Sequence, residues 1–561
     1  MPISKEKPIT LRWPSGGLNR RNPFVGNRMY TTYDCLNVWL DDPTREQERG
    51  GSRPGLVNLF GTSGTDKIRA ITNVGWKAAG VNHRGLVWVV GNNIKIEDNG
   101  TVNTIGNSIK EHGRTTIAEL NQKAYISQNT SGNIVVADPS TMGASNLTAS
   151  KGTIPLNCNV VASWRGRLVL ADGDDPSQIF FSRIGDPTDW DYTAKDNASA
   201  VMLSTSHAGI TPQPVRALIP NTDDCMIIGC DQSIWVMRGD PKTGGTVENL
   251  SDEIGILDSK AWCKTPDSSL VVMTQDGVYW MPPGCGSPFT SVSREVMPKE
   301  LRGLDRTKYA VSMCYDQPSR MIFLFVSKEA RLPSDDTPDP PPGASYFNVD
   351  PSTIGSIPPD GGELLTNHFA IDIRIERNGD VTHPRSASFY PMDMASGSEP
   401  FACTSRYKEG GQPYAVLGTR AGQVKHFEWG REIDDDIDFE SYIVYGPFAQ
   451  NDFQDMMLKR VEVTLGRSSN PITLEAWACD DAEDIETFDI DSPPFSITID
   501  NQIRNFKHDI RLRGRCFYII LRSIDKRLWS IDKINCHIAG LGRSRIHRDP
   551  EATSTGPDPM P

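Results

Sequence analysis

Apolar and polar residues alternate with a period of two along most of the chain, and almost nothing in residues 1–430 carries the period of a long amphipathic helix. Short β-branched and aromatic runs recur: LVWVV (86–90), AYIS (124–127), RLVLA (167–171), SIWVM (233–237), GVYWM (277–281), RMIFLFV (320–326) and QVKHFEW (423–429). Each lies beside turn-forming residues, at Asn82-His83-Arg84-Gly85, Asn121-Gln122, Arg165-Gly166, Cys230-Asp231-Gln232, Gln275-Asp276-Gly277, Asp316-Gln317-Pro318-Ser319 and Arg420-Ala421-Gly422. Strand, tight turn, strand is the signature of a β-hairpin. Successive turns are mostly about 40 to 45 residues apart, the period of four-stranded propeller blades, with two longer gaps that must hold insertions.

A small sheet of this kind cannot bury both faces alone; radial stacking of the repeats lets both faces pack against neighbours, and an array of sandwiches built from ordinary hairpins is the competing reading. Trp88, Trp235, Tyr279, Trp280, Phe323 and Trp429 are suited to fill the layers between blades. The pattern predicts a mainly β protein with a β-propeller of six or seven blades over residues 56–430. The count is open because the stretch between Pro318 and Arg420 holds one unit or parts of two. LVNLF (56–60) is placed to supply the outer strand that closes the last blade.

Other segments read differently. Residues 1–55 are irregular and rich in Gly, Arg and Asn, an arm rather than a domain. Residues 328–362 form a Pro/Asp/Ser-rich insertion, after which HFAIDIRIERNGDVTHP (368–384) resumes its blade across Asn378-Gly379. The acidic stretch 431–440 marks a boundary. Residues 441–548 alternate cleanly and predict an antiparallel β-sandwich, and 549–561 reads as a disordered tail.

The formal net charge of −13 argues against a general nucleic-acid binder, which needs Lys and Arg to neutralise phosphates. No apolar run approaches the length of a membrane span, and MPISKEKPIT has no apolar signal region, so retention in the cytosol is expected. The 11 cysteines are scattered without CxxC or Cys/His ligand spacing, which predicts free thiols, no zinc and no disulfide framework. No cofactor is expected.

Charge is uneven in the last domain. Asp480, Asp481, Glu483 and Asp484 begin an acidic run, whereas Arg511, Arg513 and Arg515 belong to a basic second half. Such asymmetry lets neighbouring copies meet acid to base; a solvated loop and a solvated strand face explain it equally well.

GGLNRR (16–21), DCLNVWLDDPTREQERGGSRPGL (34–56), SWRGRLVLADGDDPSQIFFSRIGDPTDWD (163–191), IGCDQSIWVMRGD (228–240), IGILDSKAWC (254–263), MTQDGVYWM (273–281) and IAGLGR (538–543) together resemble the tail hub or nozzle proteins of short-tailed bacteriophages, also called stabilisation proteins. The resemblance spans nearly the whole chain through loose phrases rather than an invariant motif. It implies a propeller on a platform domain and six copies around a channel. It also implies adaptor and portal proteins above, tail fibres or spikes at the side, and a place in the virion tail, assembled in the host cytoplasm. In such families the arm joins the C-terminal β domain, so 1–55 and 441–548 are expected to form one discontinuous unit. This chain has no room for the large extra domains with which some nozzles narrow their tip, which leaves open whether the ring is a terminal gate or an internal hub.

A conduit for double-stranded DNA should bind it weakly, because every phosphate gripped must be released at each step. Asp434, Asp435, Asp436 and the run from Asp480 are therefore candidates to face a channel. Two other classes compete. A receptor- or glycan-binding tail protein would use Trp190 and Tyr192 on GDPTDWDY to stack on sugars. A propeller glycosidase would need paired carboxylates, for which Asp172, Asp174 and Asp175 are candidates. Turn-forming Asp beside Gly or Pro is more often a backbone cap, and Ser204-Thr205-Ser206-His207 lacks a nucleophile elbow, so no enzyme is expected. Asp434, Asp436 and Asp438 have DxDxD spacing without the rest of an EF-hand loop.

Overall fold

The computed structural model describes residues 7–20, 30–44, 48–61, 66–110, 113–128, 130–297, 301–328, 368–373, 387–394, 398–406, 411–435, 437–448, 454–482, 484, 493–500 and 505–543. The insertion after Lys328, the Asn378-Gly379 turn and the segment 549–561 lie outside them. Among the described residues there is no α-helix; strands dominate, with a short 3-10 turn at Leu203–Thr205.

Seven four-stranded antiparallel sheets follow one another around a ring, which settles the blade count at seven. Blade 1 runs through Ile68–Ala78, Val81–Val90, Asn93–Asp98 and Thr101–Gly106. The first strands of blades 2 to 7 are Ile117–Leu120, Val160–Trp164, Val215–Thr222, Trp262–Lys264, Tyr309–Asp316 and Pro400–Arg406. These first strands line the axis, and the last of them packs beside that of blade 1. Each of the seven turns read from the sequence falls in a different blade. Some join first to second strands and others second to third, which is why their spacing is uneven.

One turn is displaced. Asn82–Gly85 lies within the strand Val81–Val90, and the chain reverses at Ala79-Gly80, with φ of 48° and 84°. The expected interblade aromatics are buried in several blades: Trp88 and Phe323 are fully enclosed, and Trp280 and Tyr279 nearly so. The expectation of free thiols needs correcting. Cys225 and Cys285, 60 positions apart, form a disulfide that ties blade 4 to the segment after the third strand of blade 5. No local spacing signals it, because adjacency of blades creates the pair.

Blade 7 closes the ring. Its three strands Pro400–Arg406, Tyr414–Thr419 and Val424–Glu428 are completed by Gly55–Asn58, paired as His426 with Val57 and Phe427 with Leu56. A strand from before blade 1 thus latches the last blade, and Leu56 is fully buried in the process.

The remaining strands form a sandwich of two antiparallel sheets. One sheet orders Lys7–Leu11, Ile531–Arg543, Gln454–Leu465 and Asn505–Gly514; the other orders Cys35–Leu36, Tyr442–Phe448, Cys516–Ser523, Ile472–Cys479 and Phe495–Ile499. Lys7 faces Ile538 and Cys35 faces Ile443, so residues from the arm complete both sheets. The arm then runs along the outermost strand of blade 6, Ser388–Met392, where Leu18 N–H donates to Phe389 O (2.9 Å) and Asn37 N–H to Pro391 O (3.0 Å). Trp39, on the hairpin formed by Val38–Asp41 and Glu48–Ser52, stacks on Phe323 (5.5 Å) and meets Phe427 edge-on (4.9 Å). Sandwich and propeller therefore share one apolar core.

Candidate functional site

Two places concentrate charge: the junction of sandwich and propeller, and the propeller axis. At the junction, Arg53 is fully buried between the arm and blade 7. All five of its N–H groups are used. Nε donates to Asn37 Oδ1 (2.9 Å), Nη1 to Pro54 O (3.0 Å) and Asp434 Oδ1 (2.8 Å), and Nη2 to Asp393 O (2.8 Å) and Asp434 Oδ2 (2.6 Å). The Phe439 ring lies 3.8 Å from the guanidinium carbon. Asp434 in turn accepts the Leu56 N–H (2.9 Å), so one carboxylate holds both the arginine and the latch strand.

This overturns the placement of Asp434 on a channel surface. It is fully buried with its charge matched by Arg53, as a buried carboxylate must be. Asp435 is ion-paired with Lys425 (2.5 Å) and accepts the Asn58 N–H (3.0 Å), so its charge too is balanced within the chain. Asp436 and Glu483 lie outside the described residues. No group of three Asp, Glu, His or Cys is placed to hold a metal ion among the described residues, and Asp434 is already spent on Arg53.

Asp480 and Asp481 are exposed at the end of Ile472–Cys479, and Asp484 accepts the Asp481 N–H (3.0 Å). On the opposite sheet, Asn505–Gly514 alternates exposed and half-buried positions. Its outward residues pair across to Gln454–Leu465: Lys507 with Glu462 (3.0 Å), Asp509 with Arg460 (2.7 Å) and Arg513 with Asp455 (2.8 Å). Arg515 lies 3.8 Å from the same Asp455. Arg513 is thus partly neutralised at home, while Arg511 is exposed and makes no ion pair among the described residues.

The axial feature escaped sequence reasoning. A cavity of about 480 Å³ opens on the face where the chain enters each blade, lined by Arg114, Arg216 and Arg306 with Asp231, Gln232 and Gln275. Arg114 and Arg306 precede the first strands of blades 2 and 6, Arg216 opens that of blade 4, and the others sit on second-to-third-strand turns of blades 4 and 5. Arg216 grips Asp231 through Nε (2.5 Å) and Nη2 (3.0 Å) and reaches Asp172 through Nη1 (3.0 Å). Arg306 Nη1 donates to the same Asp231 oxygen (3.0 Å), and Arg114 pairs with Asp258 (3.1 Å).

Burial by itself raises Asp231, but the hydrogen bond and charge of Arg216, with Arg306, hold it below the usual carboxylate range. Arg306 is held below the ordinary arginine value, first by burial and then by Arg114 and Arg216 beside it. A faint signal existed in the sequence. Arginine recurs at the head of first strands, as Arg69, Arg114, Arg216 and Arg306, the second and fourth followed by Thr115 and Thr307.

The residues named for the competing classes are engaged in packing and turns. Trp190 is fully enclosed with its Nε1 donating to Pro187 O (3.0 Å), and Tyr192 packs against Phe180, so the two do not form an open aromatic platform. Asp172 pairs with Arg216, Asp174 accepts from Asn157 Nδ2 (2.8 Å), and Asp175 caps Ser177 through its N–H (3.1 Å) and hydroxyl (2.8 Å). Ser204 and Thr205 lie in the 3-10 turn.

No protein-family model and no curated protein matches the chain. Among solved structures it overlaps YCF48 bound to D1 peptide (9% identity, 67% of this chain and 99% of that one, TM-score 0.37). It also overlaps virginiamycin B lyase from Staphylococcus aureus (7%, 66% and 97%, TM-score 0.37) and the RRP9 WD40 repeats (9%, 67% and 98%, TM-score 0.37). The similarity is one of architecture and carries no information on ligand, reaction or partner.

Proposed function

We propose that this chain is a structural protein of a short-tailed phage virion, a propeller-bearing hub or nozzle. Six copies form a ring that joins the portal and adaptor proteins to tail fibres or spikes and conducts DNA. One observation carries the reading: Lys7–Leu11 and Cys35–Leu36 complete the two sheets built from residues 442–543, so the propeller is an insert in a discontinuous platform. That is the arrangement the resemblance of the sequence implies. The chain's net charge of −13 fits a conduit that must not hold DNA. Exposed Asp480 and Asp481 and the half-buried Asp484 are the remaining acidic candidates for the lumen or for a neighbour's basic strand, with Arg511 as the basic counterpart.

The test is the mass and image of the assembled particle formed with its neighbouring proteins. Six copies around a hole are expected; three copies, or a monomer that degrades polysaccharide, would sink the proposal. Arg511→Glu should weaken ring assembly at least tenfold, and adding Asp480→Lys should restore it if those residues meet between copies.

A further inference from the structure

We propose that the axial cavity is a carboxylate-binding site, in which Arg306 is the principal anchor and the side-chain amides of Gln232 and Gln275 complete the grip. At about 480 Å³ the cavity is within the size range of small-ligand sites. Its lining brings three guanidinium groups together with a single carboxylate, Asp231.

Donor accounting singles out Arg306. Asp172 and Asp258 lie behind the lining and take up Arg216 and Arg114. Arg216 spends three N–H groups on Asp231 and Asp172, and Arg114 Nη2 donates to the backbone carbonyl of Arg306. Arg306 spends one of its five, on Asp231, and the rest of its fork is unbonded among the described residues. The amides of Gln232 and Gln275 likewise have no partner among the described residues, and both side chains are exposed at the mouth.

A half-buried guanidinium with an unspent planar edge matches a planar two-oxygen acceptor, to which it donates two parallel hydrogen bonds. The surroundings favour single over double negative charge. The three arginines are balanced by Asp172, Asp231 and Asp258, so the cluster is neutral before a ligand arrives. A monoanion can take the free edge of Arg306 while Nη1 stays on Asp231, whereas a phosphate dianion would add a second uncompensated charge beside Asp231. The carboxylate has two possible sources, a small organic acid in solution or the chain end of a partner protein.

Calorimetric titration of the whole chain distinguishes them, using butyrate, a dipeptide with a free C-terminal carboxylate, the same dipeptide amidated, and inorganic phosphate. The carboxylates should bind, the amidated dipeptide at least tenfold more weakly than the free one. Tighter dipeptide than butyrate binding assigns the source to a protein chain end; the reverse assigns it to a small acid. Arg306→Gln should weaken carboxylate binding at least tenfold. Arg320→Gln, an equal change of charge on the opposite face, should leave it unchanged. Gln232→Glu, which leaves every arginine pair intact, should weaken it as much as Arg306→Gln. Absence of carboxylate binding, phosphate binding more tightly than butyrate, or equal effects of Arg306→Gln and Arg320→Gln would each overturn the assignment.

Discussion

Asp434 shows what a single sequence hides at the scale of a residue. Beside Asp435 and Asp436 it reads as part of a solvated acidic run, yet Arg53, 381 positions away, takes it fully out of water. Burial of a charge is decided by its partner, and nothing local names the partner. Because the pair is desolvated, Asp434→Asn should cost roughly 3–5 kcal/mol by stranding Arg53. The double change Arg53→Met with Asp434→Leu should cost less than either single change, as read from urea unfolding of all four proteins. Asp393, whose backbone carbonyl accepts from Arg53, has its own carboxyl pushed up to about 6, by burial first and against the pull of Arg53. A raised carboxyl stabilises the fold fully below its unfolded value of about 3.9, and that contribution disappears as pH rises through about 6. Asp393→Asn should therefore match the native protein near pH 4 and exceed it by about 2–3 kcal/mol at pH 7, in unfolding curves taken across that range.

At the scale of the element, most turns were legible because they carry Asn, Asp or Gly where positive φ is needed. Asn121 and Gln122 sit at φ of 52° and 65°, Arg165 and Gly166 at 52° and 70°. The first hairpin was misplaced because its turn puts Ala79 at φ 48°, and alanine gives no turn signal. Asparagine tolerates that region better, so Ala79→Asn should stabilise the protein by about 0.5–1 kcal/mol, measurable as a raised midpoint in urea. Gly55 is constrained differently: a Cβ there would lie 2.1 Å from Ile433 O, so Gly55→Ala must push the latch strand away from the turn that carries Asp434. Loss of thermal stability and faster proteolysis after residue 428 are the expected outcomes.

For the whole molecule, the propeller and the texture of the last domain were readable, since both follow from local alternation, whereas the blade count stayed open between six and seven and is fixed only by the sheets themselves. The joining of the arm with the last domain was expected only from the resemblance, because pairing between residues 7–11 and 534–538 has no local trace. The axial arginines stayed hidden for the same reason: each belongs to a different blade, and only closure of the ring brings them together. Closure is itself testable. Without the first 58 residues, blade 7 keeps three strands and exposes Val424–Glu428 as an unpaired edge, an invitation to aggregation. The shortened chain should elute as large aggregates in size exclusion where the full chain does not.

The latch also imposes an order on synthesis. Gly55–Asn58 leaves the ribosome long before Val424–Glu428 exists, and Lys7–Leu11 must wait longer still for Ile531–Arg543. The earliest segment to be made is thus among the last to settle, held in waiting while seven sheets assemble behind it. A chain interrupted anywhere before its final strands would present that waiting segment to whatever lies nearby, including another copy of itself.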